Sequence, residues 1–434
     1  MPAPTPYFEF APADRALAVL ARETPYLPQL ELELEGRLDA TRLARALELL
    51  ARRHPILTAT VDPEANRAEW CPGTTAPEFR EMVDEGSRAR IVALPLDPAT
   101  GPTCRAVLVV AGDRSRVVLG VHHAVGDGRS LVTLFDDLRL LYLGLGTNDP
   151  PPVDVDWSPR SARALLDANG VSAIVRARMT RDAVARWAEV RPSAHRQPAA
   201  GGTGADDPGY LDCSVAVETG QLREPRTAVL LALLERAWRS VVGDGLPPSS
   251  STDRSTSWLV AVDARRAFGS VGGVGNLSGL EPVALPGGED GMEVLTRSAA
   301  DSLRPLRRPG AGMFAELAAS WAGPDAGPLL NSGIRRLYAT RAPELQLTRI
   351  FSHLDRVPDA LAEWGDATGV GLRWMPDPRI VPPIVAAMST TFLGRTVLTL
   401  VASTRACAPA TGDALIRHVV RDLAAWSEPA RLAR

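Results

Sequence analysis

The chain has 434 residues, 45% hydrophobic and 23% charged, the makeup of a globular protein too long for one ordinary core, so two or three domains are expected. Its formal net charge of −3 gives no overall attraction to nucleic acid or to an anionic membrane. All 48 basic residues are arginine, which excludes a Schiff-base lysine, a pyridoxal phosphate anchor and a Walker lysine.

The stretch Met1 to Phe10 lacks the basic and apolar regions of a signal peptide, and no apolar run approaches the ~18 residues that span a bilayer. Leu30, Leu32 and Leu34 alternate with Gln29, Glu31, Glu33 and Glu35, the period of a half-buried strand that Gly36 ends. Asp39 can cap the next helix, whose Leu43, Ala46, Leu47 and Leu50 share one face until His54-Pro55 stops it. Cys71, Cys104, Cys213 and Cys407 are too scattered for a CxxC metal site or a disulfide framework. A reduced, cytoplasmic protein without a metal centre is the expectation.

Cys104 to Val110 and Arg116 to Val121 read as paired strands around Gly112-Asp113. Directly after them stand His122-His123-Ala124-Val125-Gly126-Asp127-Gly128, two adjacent imidazoles followed by Asp-Gly at the end of a buried strand. Alternation along a strand points His122 and His123 in opposite directions, which argues against one shared metal ion. One imidazole can then face a cavity while the other packs. Asp127 can brace the loop by an ion pair or by accepting backbone N–H groups, and Gly128 allows a backbone that a Cβ would forbid. A helix follows from about Arg129 to Tyr142, with Leu131, Leu134, Phe135 and Leu138 on one face. Residues 1–196 are read as one half-domain and 197–209, rich in Gly, Ala, Pro and Asp, as a linker. Residues 210–434 form the other half, with a strand through Cys213, Val215 and Val217, a helix from a Thr227 cap to Val242, a strand Ser257 to Val262 and a helix Asp413 to Trp426. Both halves mix strands and helices, so an α/β fold in two similar halves is expected.

The seven residues from His122 to Gly128 resemble the HHxxxDG signature of the chloramphenicol acetyltransferase-like superfamily, which includes nonribosomal peptide condensation domains, polyketide-associated acyltransferases and wax ester synthases. Gly36-Arg37-Leu38-Asp39, Arg53-His54-Pro55-Ile56-Leu57, Gly101 to Ala106, Trp258 to Arg265, Val274-Gly275-Asn276 and the late loop Ser352 to Pro358 resemble further family segments. The resemblance implies a V-shaped pseudo-dimer of two such half-domains around a central tunnel. It implies an acyltransferase without an acyl-enzyme, in which His123 is the general base for an alcohol or amine acceptor attacking a thioester. The chain has no G-x-S-x-G elbow, in keeping with that. The donor would be acyl-CoA or a phosphopantetheinyl acyl or peptidyl carrier protein, with no tightly bound cofactor, nucleic acid or membrane partner. His122, Asp127 and Gly128 would build the motif. Asn276, Ser278 and Ser389, with Thr390 and Thr391 beside it, are candidates for oxyanion stabilisation or the tunnel wall. Condensation domains usually place an arginine where this chain has Thr58, so Asp127 needs another cation; Arg105 and Arg129 are the candidates.

Other features weigh less. Gly273 to Gly279 passes for a dinucleotide loop, but Glu281-Pro282 follows where that fingerprint requires a helix. Asp154-Val155-Asp156 reads as solvated linker, His195 and His418 as surface positions and His353 as structural. The competing function is a non-catalytic module that recruits a carrier protein or partner enzyme. A wax ester or diacylglycerol synthase would need an amphipathic basic face, which is missing from the sequence pattern.

Overall fold

A computed structural model describes residues 8–23, 27–65, 68–83, 94–147, 153–189, 210–222, 225–242, 255–269, 273–287, 291–313, 317, 331–332, 348–376, 384–403 and 407–427. The expected linker 197–209 and His195 lie outside these.

The first half opens with β1 (Phe8–Glu9), α1 (Pro12–Glu23), β2 (Pro28–Glu35) and α2 (Ala40–Arg53). Leu30, Leu32 and Leu34 are fully buried and Glu33 and Glu35 are exposed, but Gln29 and Glu31 are buried too, Glu31 between Arg116 and Arg373, so the strand is half-buried only toward its end. Asp39 caps α2, its Oδ1 accepting from Arg42 N at 2.9 Å. Then come β3 (Glu69–Trp70), β4 (Glu78–Met82), the antiparallel pair β5 (Cys104–Ala111) and β6 (Arg114–Val121), and α3 (Gly128–Leu145). The helices α4 (Ala162–Ala168) and α5 (Ala173–Glu189) lead to the second half.

That half contains β7 (Tyr210–Glu218), α6 (Arg226–Val242), β8 (Ser255–Asp263), β9 (Ser278–Pro286), α7 (Met292–Leu303), β10 (Thr348–Arg356), β11 (Glu363–Trp364), β12 (Ala367–Pro376), β13 (Ile384–Phe392), β14 (Arg395–Ser403) and α8 (Pro409–Ser427). Thr227 lies inside the first turn of α6 rather than at its cap, because the helix already begins at Arg226. Ser352 to Arg356 is strand, not loop. It belongs to a strand that pairs in parallel with both β8 and β13, and so needs no polar face.

Two six-stranded sheets result, in the orders β11-β12-β2-β6-β5-β4 and β7-β14-β13-β10-β8-β9. The chain does not divide cleanly in two, since β11 and β12 leave the second half and extend the first sheet, β12 running antiparallel to β2. Arg373 of β12 also reaches Asp212 of β7 at 3.1 Å, tying one sheet to the other. The first core correspondingly includes Val274, Ile350, Leu354 and Met388, and a second core packs α6, α7 and α8 on the other sheet. The architecture is mixed α/β with two related halves. Between them lies a cavity of about 990 Å³, lined from α1, the motif, β8, β9, β10, β12 and the 3-10 turn Arg304–Arg307. Among the described residues no helix is long and apolar enough to cross a membrane.

Candidate active site

The two histidines part company as alternation predicts. His122 is fully buried and its Nδ1 accepts from Ala124 N at 3.1 Å, so it holds the turn. Burial and the neighbouring His123 push its pKa down to about 3, which keeps the ring neutral. His123 is half-buried on the cavity wall. Burial lowers its pKa below the ordinary 6.5, opposed by backbone carbonyls, Asp127 and Asn276.

Asn276 sets the orientation of His123. Its Nδ2 donates to the His123 carbonyl at 2.7 Å and to Asp14 Oδ1 at 2.8 Å, while its Oδ1 faces His123 Nδ1 at 3.2 Å. An amide oxygen cannot donate, so Nδ1 carries the proton and Nε2 is the basic nitrogen of the neutral ring. With both hydrogens of its amide committed, Asn276 is no oxyanion donor, contrary to one of its expected roles. Ser278 also lines the cavity, but its hydroxyl bonds to Asp127. Ser389 sits behind the wall, its Oγ 2.7 Å from Nδ1 of His353, which does line the cavity. His353 is therefore a wall residue braced by Ser389, with Asp355 Oδ1 3.7 Å from its Nε2. Thr390 and Thr391 are buried in β13 and do not line the cavity.

Asp127 caps α3 and braces the loop, as expected, but neither candidate cation holds it. Arg105 pairs with Glu78 at 2.6 Å, and Arg129 makes no ion pair among the described residues. The cation is Arg265, from the 3-10 turn Ala264–Phe268 after β8. Its Nη1 meets Asp127 Oδ2 at 2.9 Å and its Nη2 meets Oδ1 at 3.2 Å, a fork on a carboxylate. The same guanidinium donates to Asp263, Ser130 and the carbonyls of Gly273 and Gly275. Asp127 also accepts from the N–H groups of Ser130 and Leu277. Burial alone would raise this carboxyl, yet Arg265 and these donors bring it down to about 2. Thr58 is spent locally on the Pro55 carbonyl at 3.1 Å. The segment Gly273 to Gly279 is a loop entering β9, as its sequence indicates, and its carbonyls complete the Arg265 cage.

Gly128 is required for space, not conformation, since its φ is not positive. A Cβ there would lie 2.8 Å from Leu354 Cδ2 and 2.9 Å from Trp374 Cζ2, side chains belonging to the two different sheets. The start of α3 thus seats where both sheets converge. Gly128→Ala is expected to cost about 1–3 kcal/mol through overpacking, read as a lower denaturation midpoint with an unchanged slope.

Sequence reasoning missed three further groups. His54, taken as a helix stop, is buried with Nε2 2.6 Å from Asp137 and Nδ1 3.5 Å from Asp156. Burial lowers its pKa, but the two carboxylates more than reverse this and raise it. That anchors the Asp154-Val155-Asp156 segment, read as linker, to α3. Asp14 and Arg160 are the other two, both buried near the motif; Arg160 Nη2 donates to the Val125 carbonyl at 3.0 Å. His418 is a surface residue on α8 beside Arg421, as expected.

Comparison with known proteins agrees with this arrangement. Residues 17–156 match the family model of the condensation domain. The dimodular nonribosomal peptide synthase of Bacillus subtilis is 33% identical over 138 residues, which is 30% of this chain but only 6% of that protein's length. Polyketide synthase associated protein 5 from Mycobacterium tuberculosis superposes with a TM-score of 0.67 at 15% identity, covering 98% of this chain and 100% of that one. The starter condensation domain of rhizomide synthetase RzmA, solved with C8-CoA and Leu-SNAC, superposes at 0.68 with 14% identity over 98% of this chain and 95% of that one. Residues 17–156 thus match the condensation-domain family model, and nearly the whole chain has the fold of solved condensation domains.

Proposed function

We propose that the protein transfers an acyl group from a thioester, carried by CoA or by a phosphopantetheinyl carrier protein, to an alcohol or amine, with His123 as the general base. One observation carries the reading: an imidazole on the wall of a large cavity, its Nδ1 committed to Asn276 and its Nε2 therefore the basic atom.

Nε2 takes the proton of the acceptor O–H or N–H as that atom attacks the thioester carbonyl. The tetrahedral adduct collapses with cleavage of the C–S bond, and the imidazolium returns a proton to the departing thiolate. No side-chain nucleophile takes part. Oxyanion stabilisation falls to the first turn of α3, where Gly128 and Arg129 line the cavity. The Arg129 Nη1 is buried without a hydrogen-bond partner among the described residues. The apolar interior suits an acyl chain, and Arg304, Arg307 and Arg308 at its edge suit the phosphate of either donor. The CoA thioester in the RzmA domain supports the donor chemistry.

The test is intact-mass analysis of acyl-CoA and acylated carrier-protein mixtures with alcohols and amines, alongside release of free thiol. Acyl transfer that needs this protein supports the proposal. Silence across donors, together with measurable carrier-protein binding, would favour the recruiting module instead. The pH dependence follows from the base. His123 must be neutral to accept a proton and burial lowers its pKa, so turnover should be level above pH 6.5 and fall only at lower pH. With an alcohol acceptor, which does not titrate in this range, a limb above that value would contradict a burial-lowered imidazole.

A further inference from the structure

Asp14 is a buried carboxylate whose two oxygens both accept from neutral donors. It sits in the first turn of α1, whose Ala13, Ala16 and Leu17 line the same cavity as His123. Its Oδ1 accepts from Asn276 Nδ2 at 2.8 Å and its Oδ2 from Trp70 Nε1 at 3.2 Å. Burial raises its pKa to about 6, opposed by the charge of Arg160 and by the bonds from Asn276, Trp70 and the Ala11 backbone. Holding a carboxylate there is costly, and an apolar residue would pack against Trp70 without that cost.

We infer that Asp14 is a positioning residue for the reaction: with the His123 carbonyl it locks the Asn276 amide, and the locked amide fixes the tautomer of His123. The inference rests on the proposed role of His123 as base. A backbone carbonyl and an ionised carboxylate are acceptors only, so together they claim both hydrogens of the Asn276 amide. A flipped amide would set its oxygen against two acceptors and forfeit both bonds. The oxygen therefore stays toward Nδ1, Nδ1 stays protonated, and Nε2 keeps the lone pair. With Asp14 removed, the carbonyl alone orients the amide, and an amide N–H turned toward Nδ1 would place the proton on Nε2, the wrong nitrogen for a base.

A purely structural Asp14, serving only Trp70 and the start of α1, would leave that equilibrium untouched. The experiment compares the full-length protein with Asp14→Asn, Asp14→Leu and the exchanged pair Asp14→Asn/Asn276→Asp, each with ¹⁵N-labelled histidine. The His123 signals are assigned by their loss in His123→Ala. Wild type should show the Nδ1-protonated pattern. Both single Asp14 variants should show a measurable Nε2-protonated fraction and a kcat lower by about tenfold, the weight of one buried hydrogen bond, with KM within about twofold. The exchanged pair places an acceptor-only carboxylate against Nδ1, so it should recover the wild-type tautomer, though it loses the bond to the His123 carbonyl. Unchanged tautomer and kcat in folded Asp14→Leu would overturn the inference, as would failure of the exchanged pair to recover the tautomer. Should His123 prove dispensable for turnover, the tautomer shifts would still report on the lock, so the two ideas fail separately.

Discussion

His123→Ala is expected to reduce acyl transfer by roughly 10²–10⁴-fold, the range for removing a general base, with little change in the fold. In the proposed reaction the loss should fall on kcat, because the imidazole acts on the proton in flight and the apolar wall proposed to hold the acyl chain is untouched. Stability should drop by no more than about 1–3 kcal/mol, since the change removes one partly buried ring and leaves Asn276 Oδ1 without its donor. His122→Ala supplies the contrast. That ring is buried, and its Nδ1 is the acceptor for Ala124 N–H, so its loss should lower the denaturation midpoint while the surviving folded fraction keeps its turnover. Steady-state assays and urea unfolding on both variants decide the matter. Equal loss of activity from the two would dissolve the distinction between a reacting and a packing histidine, and unchanged acyl transfer in His123→Ala would remove the base altogether.

The difference between the two rings is readable in the sequence because it is local. Strand β6 ends in an uninterrupted apolar run, Val117 to Val121, the motif follows it at once, and alternation places successive side chains on opposite sides. The elements β2, α2, β5, β6 and α3 are legible for the same reason, each carrying its own period and its own stop. Arg265 is not legible. It lies 138 residues from Asp127, and nothing about an arginine at the end of a strand announces which carboxylate it will meet. The expected candidates, Arg105 and Arg129, are near in sequence, and that is their weakness: a loop can be braced from the opposite half as easily as from its own. Asp14 is hidden similarly, since an acidic residue in a helix's first turn is an ordinary surface feature until Trp70 and Asn276 close over it. The crossing of β12 into the first sheet is invisible to local pattern, because strand pairing partners are chosen by the whole chain. Thr58 does carry a usable signal. The missing arginine at that position means that Asp127 has to be compensated from elsewhere, and Arg265 provides it.

Arg265→Leu should be the most destabilising single change near the site. It strands Asp127, a buried carboxylate whose two oxygens both rest on that guanidinium, and it also deprives Asp263, Ser130 and the Gly273 and Gly275 carbonyls of a donor. Breaking a buried pair by removing one partner costs about 3–5 kcal/mol, enough to displace the loop that carries His123 and to lower activity at least tenfold at neutral pH. Arg265→Lys keeps the charge but loses the fork, and should cost less. The pH dependence gives the effect a signature. In the wild type Asp127 titrates at about 2, below its ordinary 3.8, so its contribution to stability is present above about pH 4 and is lost as the pH falls toward 2. Without Arg265, burial dominates and the folded-state pKa rises above the unfolded value, so the variant loses stability as the pH rises through 4 and beyond. The gap between wild type and variant should thus be widest at pH 7 and should narrow on acidification, as measured by urea unfolding at pH 7 and pH 4.5. Asp127→Asn added to Arg265→Leu should restore part of the loss, because a neutral amide needs no counter-charge. A gap independent of pH, or a double variant no better than Arg265→Leu alone, would mean that Arg265 serves the loop through its hydrogen bonds to Gly273 and Gly275 and not as the cation of Asp127.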